Sequence, residues 1–174
     1  MNGEIIFFCP QCFEKLIKIE ENEYKQNVDI DFVDATGKTP FLSACAGGKK
    51  EIIQFLLKYA TEHSKPLNTA KLDNDKFSGL HYVVHSGSIG TLEYLLKFHE
   101  EYPQFSKIDL NGIDNSLKTP LHRAAEQHFG KGVAILVEQP GIELNLQDYN
   151  GFAFIFLRIT KFFNLCKFIL FPST

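Results

Sequence analysis

The sequence contains no tryptophan, one methionine and only two arginines, Arg123 and Arg158, among 174 residues. With 18 Lys+Arg against 21 Asp+Glu it lacks the basic stripe that phosphate contacts and counterion release require, so nucleic acid is not an expected partner. Long apolar runs are also missing. The Phe-rich end, residues 151–174, holds seven of the 17 phenylalanines, but Arg158, Lys161, Asn164 and Lys167 interrupt it. A spanning helix needs about 20 predominantly apolar residues, so no membrane span is expected. That end carries +3 and no acid, which leaves −6 on the rest of a chain whose net charge is −3. At the start, Glu4 and a short apolar run stand where a secretion signal has lysine and a longer apolar core. Without that signal, the widely spread Cys9, Cys12, Cys45 and Cys166 read as free thiols of a reducing, cytoplasmic compartment. No glycine-rich phosphate loop, nucleophile elbow or suitably placed carboxylate pair is found. The expectation is a protein that is not an enzyme and uses no cofactor.

What the sequence does have is a globular composition, 44% hydrophobic, in a length that can bury a sizeable core. It also has an internal repeat. Asp34-Ala-Thr-Gly-Lys-Thr-Pro-Phe-Leu-Ser-Ala-Cys aligns with Asp73-Asn-Asp-Lys-Phe-Ser-Gly-Leu-His-Tyr-Val-Val and with Asp114-Asn-Ser-Leu-Lys-Thr-Pro-Leu-His-Arg-Ala-Ala. Each is followed by an aliphatic helical pattern, at Ile52 to Leu57, Leu92 to Leu96 and Val133 to Val137. A poorer fourth copy begins at Asp148. Within the motif, Thr39 and Thr119 suit the N-cap, Pro40 and Pro120 the first helical position, and Gly48 and Gly87 a left-handed stop. Ala44, Cys45, Ala124 and Ala125 are small enough for one helix to lie close against the next. Val83 and Val84 predict a locally wider spacing in the second copy.

Thr119-Pro120-Leu121-His122-Arg123-Ala124-Ala125, with the links Asp29-Ile30-Asp31, Asp109-Leu110-Asn111 and Glu143-Leu144-Asn145, resembles the ankyrin repeat family over roughly residues 28–151. The resemblance implies an all-α solenoid of helix-turn-helix units joined by short hairpin-like loops, about four repeats with degenerate ends. The boundaries are an N-terminal capping segment at 1–33, repeats at 34–72, 73–113 and 114–147, and an incomplete C-terminal repeat at 148–174. The starting aspartates are 39, 41 and 34 residues apart, against a usual period of about 33, so Thr61 to Lys71 and His99 to Lys107 read as loop insertions.

The resemblance also implies the site. In the family, hairpin tips and the exposed side of each first helix grip another protein, which places Lys38, then Asn74, Asp75 and Phe77, then Asn115, Ser116 and Lys118 on the partner face. The first-helix ends add His85, Glu126 and Gln127, and Tyr149 extends the row. Phe77 stands out as an aromatic anchor at a solvent-facing position, with Phe77→Ala expected to leave folding intact. His81 and His122 occupy the family's histidine position, which implies a structural hydrogen bond. His81 and His85, four residues apart, share a helix face but have no third ligand in the sequence, so no metal site is assigned. Cys9-Pro-Gln-Cys12 is open to three readings: incidental capping residues, half a zinc site, or a redox dithiol supported by the repeats as targeting surface. The expected role is an adaptor or scaffold for a protein partner of unknown identity. Self-association through the Phe-rich C-terminal segment, and origin as a fragment of a longer array or a microbial host-directed effector, are the further alternatives.

Overall fold

A computed structural model describes residues 30–62 and 67–153. Among them are six helices: α1 Pro40–Ala46, α2 Lys50–Glu62, α3 Gly79–Ser86, α4 Ile89–Glu101, α5 Pro120–Glu126 and α6 Gly130–Val137. They form three helix-turn-helix units. The first helices α1, α3 and α5 pack in a row, and α2, α4 and α6 pack behind them, which is the all-α solenoid the repeat implies.

Each first helix starts where its cap dictates. Thr39 Oγ1 accepts from the Leu42 amide at 3.2 Å, Ser78 Oγ from the His81 amide at 3.4 Å and Thr119 Oγ1 from the His122 amide at 3.3 Å. Gly48 and Gly87 supply the left-handed conformation after α1 and α3, with φ of +59° and +67°. After α5 the same conformation falls on His128, at φ +57°. The stack closes over Phe41, Leu42, Cys45, Ile53, Leu56, Leu80, Val83, Leu92, Leu121 and Leu136, all buried. At roughly 2 kcal/mol per buried aliphatic side chain, this shared core dominates the folding energy.

Two expectations change. The extra residues of the first two repeats are not all loop: α2 and α4 run 13 residues each against eight in α6, so Thr61, Glu62 and His99 to Glu101 lengthen the second helix. The wider spacing expected from Val83 and Val84 does not extend to the first turn of α3, which lies against Phe41 and Cys45 of α1. Gly79 replaces the proline of the motif, and a Cβ there would lie 2.7 Å from Phe41 Cε1 and 3.3 Å from Cys45 Sγ. The missing side chain at 79 admits the larger ring at 41.

The hairpins form a second ladder. Asp34, Asp73, Asp114 and Asp148 each turn one carboxylate oxygen onto the backbone amides two and four residues on, at 2.7–3.1 Å. Neighbouring tips are tied by single backbone bonds, Asn74 N to Thr36 O, Asn115 N to Asp75 O and Tyr149 N to Ser116 O, at 3.1, 3.2 and 3.1 Å. Residues 1–29, which hold Cys9, Cys12 and most of the capping segment expected at 1–33, and residues 154–174 of the incomplete repeat expected at 148–174 lie outside the described residues.

Candidate interaction surface

The two motif histidines set the register of the surface. His81 Nδ1 faces Ser78 Oγ at 2.8 Å, and its Nε2 donates to the Lys118 carbonyl of the next hairpin at 2.9 Å. His122 repeats this with Thr119 Oγ1 at 2.8 Å and the Phe152 carbonyl at 3.1 Å. Each imidazole therefore completes a capping box and fastens its first helix to the following hairpin. Burial holds the His81 pKa below the usual histidine value, against the opposing Lys118 bond. Both ring nitrogens of His81 are engaged within the protein, and His85 Nδ1 accepts from Gln127 Nε2 at 2.6 Å, so the pair does not present a metal face.

The second carboxylate oxygens of Asp73 and Asp114 bond to the first helices. Asp73 Oδ2 accepts from the Tyr82 hydroxyl, and Asp114 Oδ2 accepts from Arg123 Nε at 2.7 Å. Burial alone raises the Asp114 pKa, but the Arg123 bond and the Lys118 and Ser116 amides outweigh it and hold the carboxyl below its ordinary range. Tyr82 is pushed upward, by burial first and by its bond to Asp73 second.

On this frame a continuous row is built. Lys38 Nζ lies 4.9 Å from the Tyr82 ring centroid, the Tyr82 and Phe77 rings are 5.3 Å apart, and the Arg123 guanidinium lies 5.2 Å from the Phe77 ring. Arg123 Nη1 then reaches Glu126 Oε2 at 3.4 Å, and Glu126 pairs with Lys118 Nζ. Of the expected partner residues, the structure thus joins Lys38, Phe77, Lys118 and Glu126 in one row, and His85 with Gln127 beside it. Phe77 is not the free-standing aromatic expected. It is half-buried between Tyr82 and Arg123, and its ring also lies 5.4 Å from the His81 ring. Asn74 and Asn115 are exposed, but their side-chain amides donate to the Ala35 and Asn74 carbonyls at 3.3 and 3.5 Å. Asp75 and Ser116 lend their carbonyls to the hairpin ladder. Tyr149 is 79% exposed at the far end.

Tyr82 and Arg123 carry the centre of the row and were missed by sequence reasoning. Both occupy the variable position directly after the histidine of the motif, nine residues beyond the starting aspartate. That shared offset is the signal that marks them.

A profile of ankyrin repeats in three copies matches residues 7–103 and 65–148. The chain is 29% identical over 101 residues to transient receptor potential cation channel subfamily A member 1 of Homo sapiens, covering 58% of this chain and 8% of that protein. It is 30% identical over 144 residues to alpha-latrotoxin-Lg1a of Latrodectus geometricus, covering 80% and 9%, and 30% identical over 135 residues to alpha-latrotoxin-Lh1a of Latrodectus hasselti, covering 74% and 9%. It spans less than a tenth of the length of these relatives. No helix among the described residues is long and apolar enough to cross a membrane. Repeat motif, cap geometry and profile agree: the chain belongs to the ankyrin repeat family, whose fold is a protein-interaction module.

Proposed function

We propose that the chain works as a non-enzymatic adaptor or scaffold in the cytoplasm, and that it binds a protein partner through the row from Lys38 across Tyr82, Phe77 and Arg123 to Glu126 and Lys118. The observation that carries this reading is the interlocked state of the row before any partner arrives. Its rings and ions hold one another within van der Waals and ion-pair distance, so little side-chain entropy is lost on binding. Aromatic and arginine side chains of this kind are the residue types that dominate interface energies. Lys38, Lys118 and Arg123 are balanced by Asp73, Asp114 and Glu126, so the row selects by shape and ring face more than by net charge.

The test is affinity capture from the source cell with the full chain, followed by titration of the recovered partner. Tyr82→Ala and Phe77→Ala are each expected to weaken binding by about 1–3 kcal/mol. Because its ring is packed, Phe77→Ala also lowers the unfolding midpoint modestly, so its affinity is read well below the melting range. Full affinity in both variants would overturn the reading.

A further inference from the structure

A groove of about 430 Å³ opens between the second hairpin and the link that leads into the third. Its floor is Phe41 and Leu80, its walls are Leu72, Ile108 and Ile113, and Lys76 and Lys107 stand at its rim. It is separate from the row described above. Along the extended arm of the hairpin successive side chains point to opposite faces. Phe77 faces Tyr82 and Arg123, while Lys76 and Ser78 line the groove.

Three features of the second and third repeats meet here. First, α3 begins with Gly79 where α1 and α5 begin with proline, so the buried Phe41 ring comes up against the backbone there with no proline ring between. Second, Leu72 and Ile113, each directly before a starting aspartate as Val33 is in the first copy, remain 43% and 42% exposed, and these two flank the opening. Third, Lys76 holds a left-handed φ of +60° at the turn position where Gly37 and Gly151 stand in the first and fourth copies and Leu117, at +55°, in the third. A non-glycine residue there is strained, which directs attention to what its side chain does. What it does is place an ammonium at the rim of an apolar groove.

The rim is also charged against the trend of the chain. Lys76 and Lys107 face one lining acid, Asp109, whose Oδ1 already accepts the Asn111 amide at 2.9 Å. The whole chain is at −3. We propose that the groove is a second docking site, and that its occupant is a short extended segment of a partner protein in which an apolar side chain adjoins a carboxylate. The apolar side chain fills the space between Leu72 and Ile113, and the carboxylate meets Lys76 and Lys107. This rests on the interaction-module reading and adds to it a second contact with its own chemistry.

The probe is a phage-displayed random peptide library panned on the full chain, followed by anisotropy titration of the labelled consensus peptide. The expected consensus has an aliphatic or aromatic residue next to Asp or Glu. Ile113→Lys and Lys107→Glu are both exposed-side substitutions, and each is expected to weaken the peptide by about tenfold or more. A peptide with its acid changed to lysine regains affinity for Lys107→Glu. No enrichment, or a consensus without an acid, overturns the groove proposal. So does a peptide that tolerates Ile113→Lys but is lost on Tyr82→Ala, an outcome that would leave the reading of the row standing.

Discussion

His81→Leu tests whether the motif histidine serves the solenoid as a polar clasp. The shape change is already rehearsed in the chain, because the equivalent position of the first repeat is Leu42, fully buried. A leucine therefore fits, and what is lost is polar. The Nε2 bond to the Lys118 carbonyl contributes about 1 kcal/mol, and that carbonyl keeps its bond from the Asp114 amide. The heavier loss is at the cap. The Ser78 amide, 3.3 Å from His81 Nδ1, is buried and loses its acceptor, at a cost of about 1–3 kcal/mol. Extra apolar burial by leucine offsets about 1 kcal/mol. The balance is a loss of about 2 kcal/mol, or roughly 4–8 °C in Tm for a chain of this size. The pH dependence adds a second reading. Burial lowers the folded His81 pKa, so the unfolded chain takes up this proton first. The stabilisation is complete above the free value of about 6.5 and is lost as pH falls from there toward the folded pKa. Far-ultraviolet circular dichroism melts at about pH 7.5 and about pH 5.5 should show the wild type losing more Tm on acidification than the variant, the other histidines being common to both. A Tm within about 1 °C of wild type at the higher pH, or an unchanged difference between the two, would refute the clasp.

Arg123→Ala should cost about 2–3 kcal/mol in urea unfolding, below the range for a fully buried pair because the Arg123 side chain is 23% exposed while Asp114 is buried. It should also raise the acid-unfolding midpoint: the lowered Asp114 pKa stabilises the fold above the free value of about 3.9 and that contribution disappears as pH falls through the folded value, earlier once Arg123 is gone. Leu117→Gly relieves a φ of +55° at an exposed turn and should raise the urea midpoint, equivalent to about 0.5–1 kcal/mol; a lowered midpoint would mean that the leucine is packed. Gly79→Ala should lower stability by about 1 kcal/mol, since the new Cβ meets Phe41 Cε1 at 2.7 Å and overpacking outweighs the gain in helix propensity. Combining it with Phe41→Leu should restore the midpoint.

The parts of this protein that were legible in its sequence are those that each repeat needs in order to stack. Thr-Pro or Ser-Gly before a helix, a glycine after it and small residues on its inner face are local requirements, and local requirements recur at a fixed offset. The hairpin aspartates were legible as markers for the same reason. Their use was not, because Asp73 and Asp114 turn their second oxygens to residues of different chemistry, Tyr82 and Arg123, at one shared position. Phe77 was misread as free because nothing in a linear pattern says that a guanidinium from the next repeat will cover its ring. The helix extensions in α2 and α4 were read as loop because they follow the motif, where the period alone gives no register.

Of the three complete repeats the second departs furthest from the motif, and both candidate surfaces converge on it. Its Tyr82 and Phe77 form the middle of the row on one face of the hairpin, and its Leu72, Lys76 and Gly79 shape the groove on the other. In a solenoid the central unit is held from both sides, so it tolerates substitutions that a terminal unit would not. The histidine clasp of His81 is retained there although Thr-Pro and Ala-Ala are not, which keeps the unit in register with the third hairpin while its other positions diverge. Restoring the motif in this repeat, with Lys76→Gly as the mildest step, therefore separates the two demands: stability rises as strain is relieved, and affinity at the groove falls with the lost ammonium. A variant that gains stability and keeps full affinity would show that the departures are drift rather than use.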